Sequence, residues 1–178
     1  GRTPRGISAD VPEGAGPAHP AMPDLGCGLY GETRLITAQG TPRQVARLVP
    51  GDRLDTFEHG PQTICAIERH SFAEGSGPVP RALWPLYIPP GLFGNARARF
   101  AAPGQRLLLQ SDLAAARFGD PYVLVPAHVL TLFPQVVQIA PSPERTLFHL
   151  RFARPELVIS DTQAVMLCDT AARFDYWS

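Results

Sequence analysis

The sequence predicts an all-β domain built from short strands and many turns. Of its 178 residues, 20 are Pro and 16 are Gly, a content too high for a helix bundle because both residues disfavour helices. Short apolar runs are separated by Gly- and Pro-containing turns, which is the usual pattern of strands in an all-β protein. Hydrophobic residues make up 44% of the chain, enough for one sizeable core.

In the first half, predicted strands alternate with turns. Residues 33–37 form a short β-type run that ends at a turn over residues 38–40. A Pro-Gly-Asp turn at residues 50–52 precedes an alternating segment at 53–57. Residues 62–72 predict a further strand.

The second half is predicted to contain strands over residues 105–109, 121–125, 145–152, 157–160 and 164–168. Two short helical pieces are expected near residues 111–118 and 126–132. Residues 74–104 are rich in Pro but also in large apolar side chains, so we expect them to pack irregularly over the core.

One internal similarity links the two halves. Residues 34–36 are followed by Gly51-Asp52, and residues 106–108 are followed by Gly119-Asp120. In each half a short apolar strand leads across a loop to a Gly-Asp turn and a second strand. The pattern predicts two structurally similar halves, with a chance match as the alternative.

Charge and composition narrow the classes of function. The 16 basic and 16 acidic residues cancel, so no overall field favours nucleic acid or an anionic membrane. Every basic residue is Arg, which excludes a Schiff-base lysine and a P-loop lysine. The odd number of Cys residues, 3, shows no metal-site spacing, and we expect Cys65 and Cys168 to be small buried apolar residues.

Three regions are expected along the chain. Residues 1–26 are rich in Pro and Gly and predict an extended arm, residues 27–169 a β domain, and residues 170–178 an aromatic tail. The longest apolar runs are far shorter than a membrane span, and no signal-peptide pattern is evident. A reduced, cytoplasmic protein is therefore the expectation.

Two segments near the start carry a resemblance to a known family. Residues 28–40 and 45–56 resemble the opening of a bacterial hedgehog/intein (Hint) domain, in which a Gly-Thr pair, an apolar strand and a Gly turn lead to Val-x-x-Leu-x-x-Gly-Asp-x-Val-x-Thr. Residues 102–109 are similar to the family's Ser-Pro-x-His-x-Val-Leu block, and residues 121–127 and 149–159 resemble later blocks. The resemblance implies a pseudo-twofold β horseshoe with short helical pieces and, here, an N-terminal arm.

The resemblance also implies a chemistry, which is self-processing through an N-to-S acyl shift. Cys27 is the candidate nucleophile, acting on the Gly26–Cys27 bond, although a gap-free alignment puts Gly28 in the nucleophile column and only a one-residue slip restores Cys27. The block histidine that would protonate the leaving nitrogen falls on Gln105, whose amide cannot shuttle a proton near neutral pH.

Two further family residues are missing from the pattern. A second histidine of the family falls near Pro155 or Glu156, so it is absent too. The only Asn is Asn95, in mid-sequence, which excludes splicing through a terminal Asn. The site is therefore expected to be degenerate.

Two other motifs are weighed and set aside. Residues 26–31 read as GxGxxG but precede a strand instead of opening a helix, so no dinucleotide site is expected. His59, Cys65 and His70 match no compact ligand spacing. The sequence thus predicts neither a metal nor a cofactor.

The expected function is a structural or interaction module on a Hint fold that does not process itself. The N-terminal arm and the aromatic tail are the predicted contacts for a protein partner, with Tyr176 and Trp177 as candidate contact residues because Trp and Tyr dominate interface energetics. The alternative is an autoprocessing domain that cleaves the Gly26–Cys27 bond through a Cys27 thioester.

Overall fold

Short strands joined by tight turns carry most of the structure, as the content of Pro and Gly predicts. The computed structural model describes residues 27–72 and 78–170. The predicted arm (1–26) and the predicted partner contacts Tyr176 and Trp177 lie outside the described residues.

The described strands are few residues long, and most are separated by turns. In chain order they are β1 (Leu29–Tyr30), β2 (Arg34–Ile36), β3 (Pro42–Gln44), β4 (Arg53–Leu54), β5 (Gln62–Thr63), β6 (Ala66–Ser71), β7 (Leu86–Ile88), β8 (Arg99–Ala101), β9 (Arg106–Gln110), β10 (Tyr122–Pro126), β11 (Val137–Gln138), β12 (Thr146–Arg151), β13 (Glu156–Ile159) and β14 (Val165–Cys168). Short 3-10 helices lie at Val45–Arg47, Arg81–Leu83 and Ala127–Leu132. The fold is all-β, as predicted.

Two of the sheets position the candidate site. One has the order β1-β12-β6 and the other the order β10-β9-β14-β13, with antiparallel pairing throughout. A third sheet, β11-β7-β8, comes largely from the segment that the sequence predicts to be irregular. The pairs β2-β3 and β4-β5 complete the sheets among the described residues.

The repeated Gly-Asp pattern corresponds to a repeated strand pair. In the first half β4 follows Gly51-Asp52 and lies antiparallel to β2, with the N–H of Asp55 donating to the carbonyl of Ile36 at 3.0 Å. In the second half β10 follows Gly119-Asp120 and pairs with β9. Both glycines have positive φ, and both Asp carboxylates accept a backbone N–H at 2.9 Å. Both halves therefore turn at a glycine with positive φ, although Asp52 accepts the N–H three residues before it and Asp120 the N–H two residues after it.

The core lies between these strand pairs. Strands alternate inward and outward side chains, so residues such as Leu35, Leu54, Leu107 and Val158 point into one buried apolar cluster. β12 is buried on both faces, with Leu147 and His149 on one face and Phe148 and Leu150 on the other, which fits its central place between β1 and β6.

The helical prediction near residues 111–118 is confirmed by helix α1 (Asp112–Phe118). The Ser111 hydroxyl caps its first turn by accepting the N–H of Ala114, and Gly119 ends it in the left-handed conformation. Across the part of the chain that the structure describes, no helix combines the length and apolar character needed to cross a bilayer.

Three predictions about local structure are wrong. Cys65 is exposed, not buried, because it lies between β5 and β6, where its N–H donates to the carbonyl of Arg151 at 2.7 Å while the thiol remains outside the core. The run 62–72 is broken into β5 and β6 at this point, and only Arg53–Leu54 of the alternating segment 53–57 pairs as a strand. Cys168 is buried as expected.

We expect Leu35→Ala to lower the free energy of unfolding by about 2–5 kcal/mol because it leaves a cavity in the core. The matched control is Leu132→Ala, since Leu132 is 85% exposed, and its change should stay within about 0.5 kcal/mol. Urea denaturation followed by fluorescence measures both. Equal effects of the two variants would contradict the assignment of the core.

Candidate functional site

A cavity of about 600 Å³ lies where the start of β1 meets β12, β14 and the turn before β9. Its wall includes Cys27, Gly28, Gln105 and His149. The cavity therefore brings the two sequence-predicted candidates within the described residues, Cys27 and Gln105, to one place.

Both polar atoms of the Gln105 side chain are hydrogen-bonded. It ends a tight turn in which its N–H donates to the carbonyl of Ala102 at 3.1 Å, which places it at the start of β9. The side-chain Oε1 accepts the N–H of Gly28 at 3.0 Å, while Nε2 donates to the carbonyl of Leu167 at 2.8 Å and of Arg106 at 3.3 Å. Because the two carbonyls occupy the amide donors, the side chain must present its oxygen to Gly28.

Gly28 is the residue whose backbone amide the Gln105 side chain contacts. Its φ of +108° lies in the region that favours glycine, and a Cβ built there would lie 3.0 Å from Nε2 of His149 and 3.1 Å from the carbonyl oxygen of Phe148. A side chain at this position would thus meet the imidazole directly.

Cys27 stands one residue earlier, at the edge of the cavity, and is partly buried. Its thiol donates a weak hydrogen bond to the carbonyl of Gly104 at 3.5 Å. The thiol therefore contacts the turn that carries Gln105 and lies beside the cavity wall.

His149 is the functional-type residue that the sequence reasoning missed. It lies on β12, is buried, and faces Gly28 across the sheet. Its ring also packs edge-on against the ring of His70 on β6, with centroids 5.5 Å apart. A polar residue inside the apolar run 147–150 was a signal in the sequence, but only the pairing of β1 with β12 shows what it faces.

Near the position expected for the second family histidine, the structure has ion pairs around Glu156 instead. Glu156 is buried, and its carboxylate contacts Nδ1 of His59 at 2.7 Å and Nε of Arg154 at 3.1 Å. His59 therefore pairs with Glu156 and does not form the metal-ligand group with Cys65 and His70 that the sequence analysis considers. His70 joins His149 and Glu68 instead.

Cys168 also lines the cavity, but burial raises the pKa of its thiol to about 12. The neighbouring Arg151 opposes that increase without cancelling it. A thiol with this pKa is almost fully protonated at neutral pH, so it is a poor nucleophile.

These contacts can be set beside known proteins. A family model described as "Hint domain" matches residues 27–166. The chain belongs to the Hint domain family. No curated protein matched the chain.

Within this Hint domain, the matched region begins at Cys27 and includes Gly28, Gln105 and His149. The hydrogen bond between the N–H of Gly28 and the side chain of Gln105 therefore lies within the region that the family model matches.

We expect the exposed Cys65 to react rapidly with a thiol reagent at mildly alkaline pH and Cys168 to stay unreactive until the protein unfolds. The reason is the burial and the raised pKa of Cys168. Peptide mass mapping after brief labelling gives the two rates, and Cys65→Ser should remove the fast reaction. Rapid labelling of Cys168 in the folded protein would contradict its placement.

Proposed function

We propose that this Hint domain does not process itself and serves as an interaction module for a protein partner. The observation that carries the first part is the hydrogen bond from the N–H of Gly28 to Oε1 of Gln105. It bears on both requirements of an acyl shift, which are a nucleophile and a proton donor.

An acyl shift needs the nucleophile on the residue whose backbone nitrogen leaves. The nitrogen that Gln105 contacts belongs to Gly28, which has no side chain to attack the preceding carbonyl. The thiol of Cys27 would act on a different peptide bond, one residue away from this contact. The nucleophile and the contacted nitrogen are therefore out of register.

The leaving nitrogen also needs a proton, and Gln105 is turned the wrong way to help. Its oxygen accepts from the amide N–H, and its two donors are held by the carbonyls of Leu167 and Arg106. Such a bond stabilises the intact peptide and supplies no proton to it. Both requirements thus argue against processing.

One observation favours the alternative, cleavage at the Gly26–Cys27 bond. Cys27 and His149 line the same cavity. A thiol and an imidazole in one cavity are the two groups that a thioester step requires.

Support for the interaction role comes from the edge of the four-stranded sheet. β10 is an edge strand, and its Tyr122 and Val123 are exposed. Helix α1 packs beside β10 and exposes Leu113 and Phe118, the latter at 78%. We call these four residues the β10 edge patch. Among the described residues no strand pairs with this edge of β10, and large exposed apolar side chains at such an edge favour binding to another protein.

Incubation of the whole chain with a strong thiol should leave its intact mass unchanged. Gln105→His should behave in the same way, because an imidazole there reaches the nitrogen of Gly28 and not that of Cys27. Mass spectrometry follows both proteins over time. A fragment ending at Gly26 that disappears in Cys27→Ala would establish the alternative instead.

The interaction role is tested with two altered proteins. One carries the two substitutions Phe118→Ser and Val123→Ser, and the other lacks residues 1–25. Each should weaken co-purification of a protein partner. Leu132→Ser is the matched control, since it removes an exposed apolar residue outside the β10 edge patch. Quantitative affinity purification measures the recovered partner. Unchanged recovery in both altered proteins, or no partner for the wild-type chain, would count against this role.

A further inference from the structure

Three side chains of metal-ligand type converge on the sheet β1-β12-β6, outside the contacts of Gln105. They are Glu68 and His70 on β6 and His149 on β12. One candidate ligand atom from each residue lies within 4.8 Å of the other two.

Strand register explains why these residues meet. His149 is directly opposite Glu68, and His70 is two residues further along β6, so all three project from the same face of the sheet. Side chains that face each other across an antiparallel pair start about 4.5–5.5 Å apart at Cβ, and diagonal neighbours also reach each other. The convergence follows from the pairing of β6 with β12 and needs no flexible loop.

The donor set suits a transition metal of the zinc class. Two imidazoles and one carboxylate form a known protein zinc set, in which ligands about 2.1 Å from the ion lie about 3.4 Å from one another. Ligand atoms already within 4.8 Å need to approach by little more than an ångström. Side-chain rotation about χ1 and χ2 covers such a distance without moving the strands.

Gly28 provides space on the other side of His149. Because β1 pairs with β12, Gly28 lies next to His149 in the row that continues to Glu68. A Cβ there would lie 3.0 Å from Nε2 of His149 and 3.2 Å from its Cε1. Glycine at this position leaves the imidazole room to adjust its orientation toward β6.

The guanidinium of Arg151, which pairs with Glu68 of the cluster, has a second acidic neighbour. Arg151 pairs with Glu68 at 3.2 Å, and a cation bound to Glu68 would compete with that pair. Arg151 also lies 3.9 Å from the carboxylate of Asp169, to which it can shift. Arg69, the neighbouring cation on β6, is over the ring of Phe148, 5.3 Å from its centroid. Glu68 can therefore turn to a metal without leaving the guanidinium of Arg151 unpaired.

We propose that Glu68, His70 and His149 form a binding site for a divalent transition metal of the zinc class. The two histidines supply nitrogen ligands and Glu68 an oxygen ligand. This site departs from the metal-free expectation of the sequence, which grouped His70 with His59 and Cys65. It does not depend on whether the domain processes itself.

The test is a titration of the untagged whole chain with Zn²⁺ alone, and with Co²⁺ as a spectroscopic probe. We expect one Zn²⁺ per chain by calorimetry, a Zn²⁺-dependent rise in melting temperature, and visible Co²⁺ absorption of a low-coordinate nitrogen and oxygen site. Mg²⁺ should give none of these effects because it prefers oxygen ligands.

The variants locate the site. His70→Ala, Glu68→Gln and His149→Ala should each weaken Zn²⁺ binding by at least about tenfold. His128→Ala and Cys27→Ser should bind as the wild type does, since neither side chain is one of the three proposed ligands. His70 and Glu68 are only partly buried, so their variants test the site even where His149→Ala fails to fold.

Absence of Zn²⁺ binding by the wild-type chain would overturn the proposal. So would wild-type affinity in both His70→Ala and Glu68→Gln. Loss of binding in Cys27→Ser or His128→Ala with retention in His70→Ala would place the metal elsewhere and would also overturn it.

Discussion

The buried side chain of Gln105 joins parts of the fold that are far apart in the sequence, and the geometry of the site follows from its bonds. A buried carboxamide needs partners, because an unsatisfied polar group costs about 1–3 kcal/mol. Gln105 obtains them from Gly28 just before β1, from Arg106 at the start of β9 and from Leu167 in β14. Its backbone carbonyl also accepts the N–H of Ala127 at 2.8 Å. This one residue therefore connects the sheet β1-β12-β6 to the sheet β10-β9-β14-β13.

The two sheets on either side of Gln105 have different surfaces. The three-stranded sheet carries Gly28, His149 and Glu68 in a row across its strands. Among the described strands, the four-stranded sheet ends in β10, which carries exposed apolar residues. A Hint fold in which the amide of Gln105 serves as a structural link leaves both surfaces available for other roles.

Much of the fold could be predicted from the sequence because its rules are local. The turns at Gly51-Asp52 and Gly119-Asp120 each depend on a glycine with positive φ and an Asp that caps the turn. Helix α1 depends on Ser111 and Gly119 at its ends. These turns and caps depend only on residues close together in the sequence, so they can be predicted from one sequence alone.

The site could be predicted only in part, because its geometry depends on strand pairing. The sequence predicts that Gln105 takes the family's histidine position and leaves Cys27 and Gly28 open as the nucleophile position. That the Gln105 side chain accepts the N–H of Gly28 could not be predicted, because it depends on how β1 and β14 pack against the turn before β9. His149 had no apparent partner until β12 was paired with β1 and β6. Cys65 was expected in the core because its neighbours are apolar, although a short break between β5 and β6 leaves it exposed.

The central place of β12 has a consequence for how this molecule is built. β12 lies near the end of the described chain, yet it separates β1 and β6, which come from the first half. Neither early strand can complete its pairing until almost the whole domain has left the ribosome, and pairings so distant in sequence form slowly. The cavity and the Glu68–His70–His149 cluster both need β12, and the Gln105 link needs β14, so we expect all three to form late. Until then the edges of β1 and β6 remain open, and this is the interval in which the nascent chain depends most on protection from aggregation.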